Sequence, residues 1–360
     1  MPDQINYRRH GLVNASSVSF AAADVGLFAT PGLFSGTRLD DEGSMPALNG
    51  ATAWLNSQPL TIDQLRGKVV AIDFWTYTCI NWLRTLPYLR AWAERYHAHG
   101  LVVIGVHTPE FPFEHDTENV RRAVQEMRVM YPVAIDNDYA IWDAFNNHYW
   151  PALYLVDAQG RIRYHQFGEG DFDEAEEVIQ RLLAEAGNDP VGHSLASVDA
   201  HGLEVGADWA HLASRETYVG SERAEHFASP GGVVLDEPHV YTAPERLSRN
   251  EWALVGDWTV APGFAALNAP SGRLVYRFHA RDLHLVMGPA TRRASVRYRV
   301  SLDGRAPGVA RGSDVDELGA GIVSEQRLHQ LIRQPQPIVD RLFTIEFLDA
   351  GIEAYAFTFG

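Results

Sequence analysis

Asp73-Phe74-Trp75-Thr76-Tyr77-Thr78-Cys79-Ile80-Asn81-Trp82, followed by Pro87, is the stretch on which the reading of this chain turns. It grows out of a continuous apolar run, Val69 to Trp75, and such a run predicts a strand covered on both faces. Beyond it Leu83, Leu86, Leu89, Trp92, Ala93 and Tyr96 recur at near-helical spacing, and Gly100 closes the pattern. The only cysteine of the chain therefore stands in a short loop where a strand ends and a helix begins. A thiol at that position meets the positive end of the helix dipole and unpaired backbone N–H groups, both of which favour thiolate. Cys79 is the candidate nucleophile.

Outward from this core the rhythm continues. Leu60 to Gly67 predicts a short helical turn closed by glycine, and Leu101 to Val106 a second buried strand. Val120, Ala123, Val124 and Met127 mark a helix capped near Asp116 or Thr117, and Val133 to Ile135 a short strand. Ala152 to Asp157 and Ile162 to Phe167 flank a Gly160 turn and predict a hairpin. Val178 to Ala186 closes the unit as a helix. Strands alternating with helices, then an antiparallel pair, predict an α/β fold with a mixed central sheet and helices on both faces.

After residue 190 strict alternation replaces helical spacing: Leu274, Tyr276, Phe278, then Leu283, Leu285, Met287, then Val296, Tyr298, Val300, Leu302. Asp303-Gly304 is a hairpin turn signal, and Phe343 to Phe347 and Tyr355 to Phe359 close the chain. The expectation is an antiparallel β-sandwich of jelly-roll type. The domain division expected is an N-terminal arm over 1–43, an α/β domain over 44–189, a linker over 190–214 and the sandwich over 215–360.

Composition removes several classes of function. The 360 residues carry 46 Asp+Glu against 30 Lys+Arg, a net charge of −16, which repels a phosphate backbone. Nucleic acid is not an expected partner. One cysteine excludes an internal disulfide and a thiolate zinc cluster, and the 15 histidines show no metal-ligand spacing, so no metal is expected. With no phosphate-cradling glycine motif either, no cofactor is expected. No apolar stretch is long enough for a membrane span. Arg8 and Arg9 ahead of Leu12 to Ala23 only loosely match a secretory leader, because Ser16, Ser17 and Ser19 dilute the apolar region. With a free thiol, this favours the cytoplasm, with an extracytoplasmic site as the alternative.

The spacing around Cys79 resembles the thioredoxin-fold active site. In that family an aspartate lies six residues before the first cysteine, a tryptophan four before it and a proline eight after it; here these are Asp73, Trp75 and Pro87. Trp150-Pro151, ahead of Ala152 to Leu155, matches the family's cis-proline position. The added helix and strand between Asp116 and Ile135 resemble the insertion of the TlpA-like and peroxiredoxin-like branches of the fold. Leu60 to Lys68, His107 to Phe111 and His148 to Pro151 narrow the likeness to the soluble part of DipZ-type proteins. Tyr218 to Pro230, Trp252 to Val260, Arg277 to Pro289 and Asp340 to Gly360 resemble the β-sandwich that follows in those proteins, which is similar to a carbohydrate-binding module. The likeness spans residues 44–360.

One departure governs the chemistry. The family carries Cys-x-x-Cys, and the second position here is Trp82, which cannot resolve a mixed disulfide. What the resemblance then implies is a one-cysteine redox protein acting on a peroxide or a protein disulfide, with an external thiol as reductant. The alternative is a redox-inactive binding protein whose sandwich recognises a glycan or a partner protein. The site expected comprises Cys79 as nucleophile and Asp73 as a proton relay. Thr76, Thr78 and Asn81 are candidate hydrogen-bond donors to the sulfur, Trp75 and Trp82 its walls. Trp150 and Pro151 are candidates for the substrate groove, and Glu110 for the pocket lining. Trp252, Trp258 and Tyr241 are candidate sugar-stacking platforms, but packing between the two sheets is the favoured reading of these aromatics.

Overall fold

The apolar run that begins at Val69 forms the centre of the first sheet, and the computed structural model describes the chain around it over residues 39–188 and 194–360. Most of the 1–43 arm, the leader-like stretch from Arg8 to Ala23 and residues 189–193 lie outside the described residues. The first half runs β1 (Gly43–Ser44), β2 (Ala53–Leu55), α1 (Ile62–Leu65), β3 (Val69–Trp75), α2 (Ile80–Tyr96), β4 (Leu101–His107) and α3 (Thr117–Glu126). It continues with β5 (Val133–Ile135), α4 (Ala140–Ala144), β6 (Ala152–Val156), β7 (Arg161–Phe167) and α5 (Phe172–Glu185). The sheet order is β1-β7-β6-β3-β4-β5-β2. β3 pairs with β4 in parallel and with β6 antiparallel, so the sheet is mixed.

Alternation along β3 sorts its side chains between two cores. Val69, Ala71 and Trp75 pack with Leu83, Leu86, Leu89 and Trp92 of α2, while Val70, Ile72 and Phe74 pack on the opposite face with Ile141, Phe145 and Tyr154. Asp73 therefore points to the α2 face, where only apolar residues would be expected. The expected turn at Leu60 is α1, capped by Thr61 and Gln64 in a reciprocal box, and Asp116 caps α3 by accepting from the Glu118 N–H.

The second half runs β8 (Thr217–Tyr218), β9 (Pro238–Tyr241), β10 (Trp252–Val260), β11 (Ala265–Leu267), β12 (Gly272–Phe278) and β13 (Asp282–Pro289). Then come β14 (Val296–Leu302), β15 (Ala320–Val323), β16 (Arg327–Arg333), β17 (Arg341–Phe347) and β18 (Ile352–Phe359). These eleven strands form one antiparallel sheet that curls on itself. The fold occurs in β10, whose Trp252–Val255 part pairs with β12 and whose Gly256–Val260 part pairs with β9 and, from Trp258, with β11. Gly256 supplies the positive φ of 97° between the two parts. The layers meet through aromatic pairs such as Tyr276–Phe357 and Phe343–Phe357, at 5.0 and 6.1 Å between centroids.

One expectation is corrected, and one of two open readings is decided. Asp303-Gly304 does make the tight turn, with φ of 49° and 75°, but β14 meets only one bridge beyond it, Leu302 to Arg305; its hairpin partner is the later β15. Trp252, Trp258 and Tyr241 are not platforms. Their side chains lie in the sandwich core at 0 %, 0 % and 2 % exposure. Their polar ends are taken up by the backbone at Glu225, Val255 and Val234. No face is left for a sugar ring.

Candidate active site

Cys79 is the N-cap of α2 and is half-buried. Its thiol donates to the Trp150 carbonyl at 3.7 Å, and Trp150-Pro151 is a cis peptide. The structure thus brings together the nucleophile and the X–Pro pair that stand 71 residues apart. Trp150 is fixed by its own indole N–H, which donates to the Thr108 carbonyl at 3.0 Å, and by its ring against Trp142.

Asp73 and Trp82 are joined directly: the Trp82 indole N–H donates to Asp73 Oδ2 at 2.8 Å. Trp82 stacks on Trp75 with centroids 4.2 Å apart, and both are fully buried. Burial pushes the Asp73 carboxyl well above the usual carboxylate range, only partly offset by the Trp82 hydrogen bond. Asp73 Oδ1, the Trp75 indole N–H, the Thr76 hydroxyl, both His107 ring nitrogens and the Tyr77 and Tyr131 hydroxyls are buried without a hydrogen-bond partner. This face of the sheet is unusually polar for a core. Gly105 is part of it: a Cβ there would stand 2.7 Å from the Trp75 indole nitrogen and 3.2 Å from the Tyr131 ring.

The electrostatics at Cys79 reverse the expectation drawn from the helix dipole. The backbone N–H groups of Trp82 and Asn81 do point to the sulfur and favour thiolate. Burial and the negative charges of Glu216 and Glu110 outweigh them, and the thiol is pushed above its ordinary value. The role expected for Thr78 also changes. Its hydroxyl donates to Glu114 Oε1 at 2.6 Å instead of facing the sulfur. Asn81 contributes its backbone, which also takes the Thr85 hydroxyl at 2.9 Å.

Glu114, unused in the sequence reading, is a hub. Its side chain is fully buried, accepts from Thr78 at one oxygen and from the Glu110 and Phe111 N–H groups at the other, at 2.6 and 2.9 Å. Burial lifts its carboxyl to about 7, against the pull of these hydrogen bonds. The signal that could have found it is Pro112 with Glu114 two residues on, the pattern of a turn start whose carboxylate reaches back to free N–H groups. Glu110 turns towards the second half, where the Tyr218 hydroxyl and the Arg223 guanidinium donate to its Oε1 at 2.5 and 2.9 Å. Among the described residues, no cluster of three His, Cys, Asp or Glu side chains could hold a metal ion.

Both halves of the chain are similar to known proteins. Residues 41–179 match the Redoxin family, and residues 214–360 match the family described as thioredoxin like C-terminal domain. Over 142 residues the chain is 34 % identical to the thiol-disulfide oxidoreductase YkuV of Bacillus subtilis, which covers 39 % of this chain and 95 % of YkuV. The chain belongs to the thioredoxin-like redoxin family. It is also 35 % identical over 281 residues to protein DipZ of Mycobacterium tuberculosis, covering 77 % of this chain and 38 % of DipZ. The chain thus spans less than half the length of that relative. A solved thioredoxin-like protein in its oxidised form is similar at 34 % identity and a TM-score of 0.37, covering 39 % of this chain and 95 % of that one.

Proposed function

We propose that this redoxin-family chain performs thiol–disulfide exchange with Cys79 as its single nucleophile. The observation that supports the reading best is the placement of the sulfur at the N-terminus of α2, beside the Trp150 carbonyl of the cis-Pro151 segment, with Trp82 in the turn behind it. The Cys79 thiolate attacks one sulfur of a substrate disulfide, forms the mixed disulfide and expels the other half as thiolate, which takes up a proton. An external thiol then attacks the substrate sulfur of the mixed disulfide and returns Cys79 to thiolate. The net change is the exchange of one thiol for another in the substrate disulfide, so electrons balance without a second cysteine. Asp73 relays protons in this reading, Thr76, Thr78 and Asn81 shape the loop, and Trp75, Trp82, Trp150, Pro151 and Glu110 bound the groove. We assign these roles to an α/β domain over 44–189, followed by a linker over 190–214 and a sandwich over 215–360. Dependence on an external thiol suits a reducing compartment such as the cytoplasm.

Peroxide is the second candidate substrate, and a thiol pushed up by burial and neighbouring carboxylates slows attack on either one. The test is intact mass after incubation with oxidised glutathione. The wild-type chain is expected to gain one glutathione and to lose it on addition of fresh thiol, over repeated cycles, while Cys79→Ser gains none. An adduct that fails to form, or one that forms and is never discharged, overturns turnover at Cys79.

A further inference from the structure

The Cys79 loop is tied to the second half of the chain by a short hydrogen-bonded path. Thr78, next to the nucleophile, donates to Glu114; Glu114 takes the backbone N–H of Glu110; and the Glu110 carboxylate takes Tyr218 and Arg223. β8 presents these partners by simple alternation. Thr217 faces inward, its hydroxyl against that of Tyr276 at 2.8 Å in the sandwich core, and its neighbours Glu216 and Tyr218 face the other way. The Tyr218 hydroxyl lies within hydrogen-bond distance of both Glu110 and Glu216, at 2.5 and 3.0 Å. The Arg223 guanidinium lies over the Tyr218 ring, 3.3 Å from its centroid, and is paired with Glu110. Two carboxylates from opposite halves thus meet at one phenol, and the guanidinium over its ring pairs with Glu110.

We propose that Glu216, Tyr218 and Arg223 are positioning residues of the Cys79 site, through which the second sheet sets how readily the thiol ionises. The reasoning rests on the reading of Cys79 as nucleophile and extends it. The groups that face the thiol are Glu216, Glu110 and, behind Thr78, Glu114; Arg223 is the cation that opposes them, and Asp73 lies on the same face of the first sheet. Burial first, and then the opposing charge of Glu110, lifts the Glu216 carboxyl to about 7. Each negative charge disfavours thiolate and the cation favours it. A docked molecule that rearranged Arg223 or Glu216 would therefore change thiol reactivity without touching the sulfur.

The chain has one thiol, so its alkylation reads Cys79 alone. Iodoacetamide rates measured from pH 6 to 10 on the full chain are expected to change with opposite signs. Glu216→Gln speeds alkylation at pH 8 by roughly two- to fivefold, and Arg223→Gln slows it by a similar factor, as expected for screened unit charges of opposite sign. Glu317→Gln, an exposed carboxylate in the second half paired only with Arg311, leaves the profile unchanged. The effects of the first two shrink in high salt. Rates that move in the same direction in both variants, or in neither, overturn the proposal, because packing damage has no reason to follow the sign of the charge. Alkylation does not need turnover, so a chain that follows this charge pattern but takes no glutathione would sink exchange chemistry and leave the coupling standing.

Discussion

Asp73 has one oxygen paired with Trp82 and the other buried without a partner, on a face it shares with the apolar Val69, Ala71, Leu86 and Trp92. Keeping such a carboxylate ionised is costly, and the cost has a sign that can be measured. In the unfolded chain the group loses its proton near 3.8, whereas burial keeps it protonated in the folded chain to much higher pH. The folded state therefore binds the extra proton, and its stability falls as pH rises from about 4 until the folded carboxyl ionises. Asp73→Asn removes this loss while its amide oxygen still accepts from Trp82. Urea unfolding is expected to show Asp73→Asn gaining on the wild type between pH 4 and pH 8. A difference that stays constant across that range would mean that Asp73 is not held protonated. The aspartate was legible from its spacing to Cys79, and so was the position of Trp82. The hydrogen bond between them was not, because a sequence gives the positions of an indole and a carboxyl but not their orientation.

At the scale of elements, what could be read depended on length. β3, β4 and α2 left long apolar patterns because each is buried along most of its course. β1, β2, β8 and β11 have two or three residues each, too few to display a period. The aromatic residues of β10 could be read as core for a different reason: Trp252, Leu254, Trp258 and Val260 alternate on one face, and that face is the core. The turn that carries Glu114 was missed because its role appears only when Thr78 is folded against it. Its titration gives an element-scale prediction. The folded carboxyl sits at about 7 against 4.5 unfolded, so the wild type loses stability as pH rises from about 4.5 to 7 and no further above that. Glu114→Gln can still accept the Glu110 and Phe111 N–H groups at its oxygen and donate to Thr78 from its amide. It is expected to overtake the wild type within this window, by on the order of 3 kcal/mol at pH 8. Denaturation midpoints that run parallel for the two proteins through pH 7 would show that Glu114 is ionised throughout.

At the scale of the molecule, Leu39–Gly360 forms one compact unit although it contains two sheets. The seam explains why. Tyr355 of β18 packs on Phe113 at 4.8 Å and Phe111 at 5.3 Å, with Phe264 at 5.6 Å, and these rings belong to the same apolar core as Trp75 and Trp92. Arg84 of α2, almost fully buried, pairs with Glu169 at 2.8 Å and donates to the Phe359 carbonyl at 3.1 Å. None of this was visible in the sequence, where Tyr355 stands more than two hundred residues from Phe111 and Phe113, and Arg84 as far from Phe359. Separation along the chain also explains why the charge of Glu216 at Cys79 escaped a local reading. A seam with the character of a core predicts that the two sheets melt together, unlike halves joined by a polar contact. Calorimetry of the wild type should show a single transition. Tyr355→Ala removes the ring at the centre of the seam, at a cost of about 3–5 kcal/mol for a buried aromatic. Because Tyr355 packs against the first half, that loss falls on the coupling more than on the sandwich core. The variant is expected to melt in two steps, with Cys79 becoming open to alkylation before the second. Two transitions already present in the wild type, or one lowered transition in the variant with no early exposure of the thiol, would refute the view that this aromatic seam makes the halves one cooperative body.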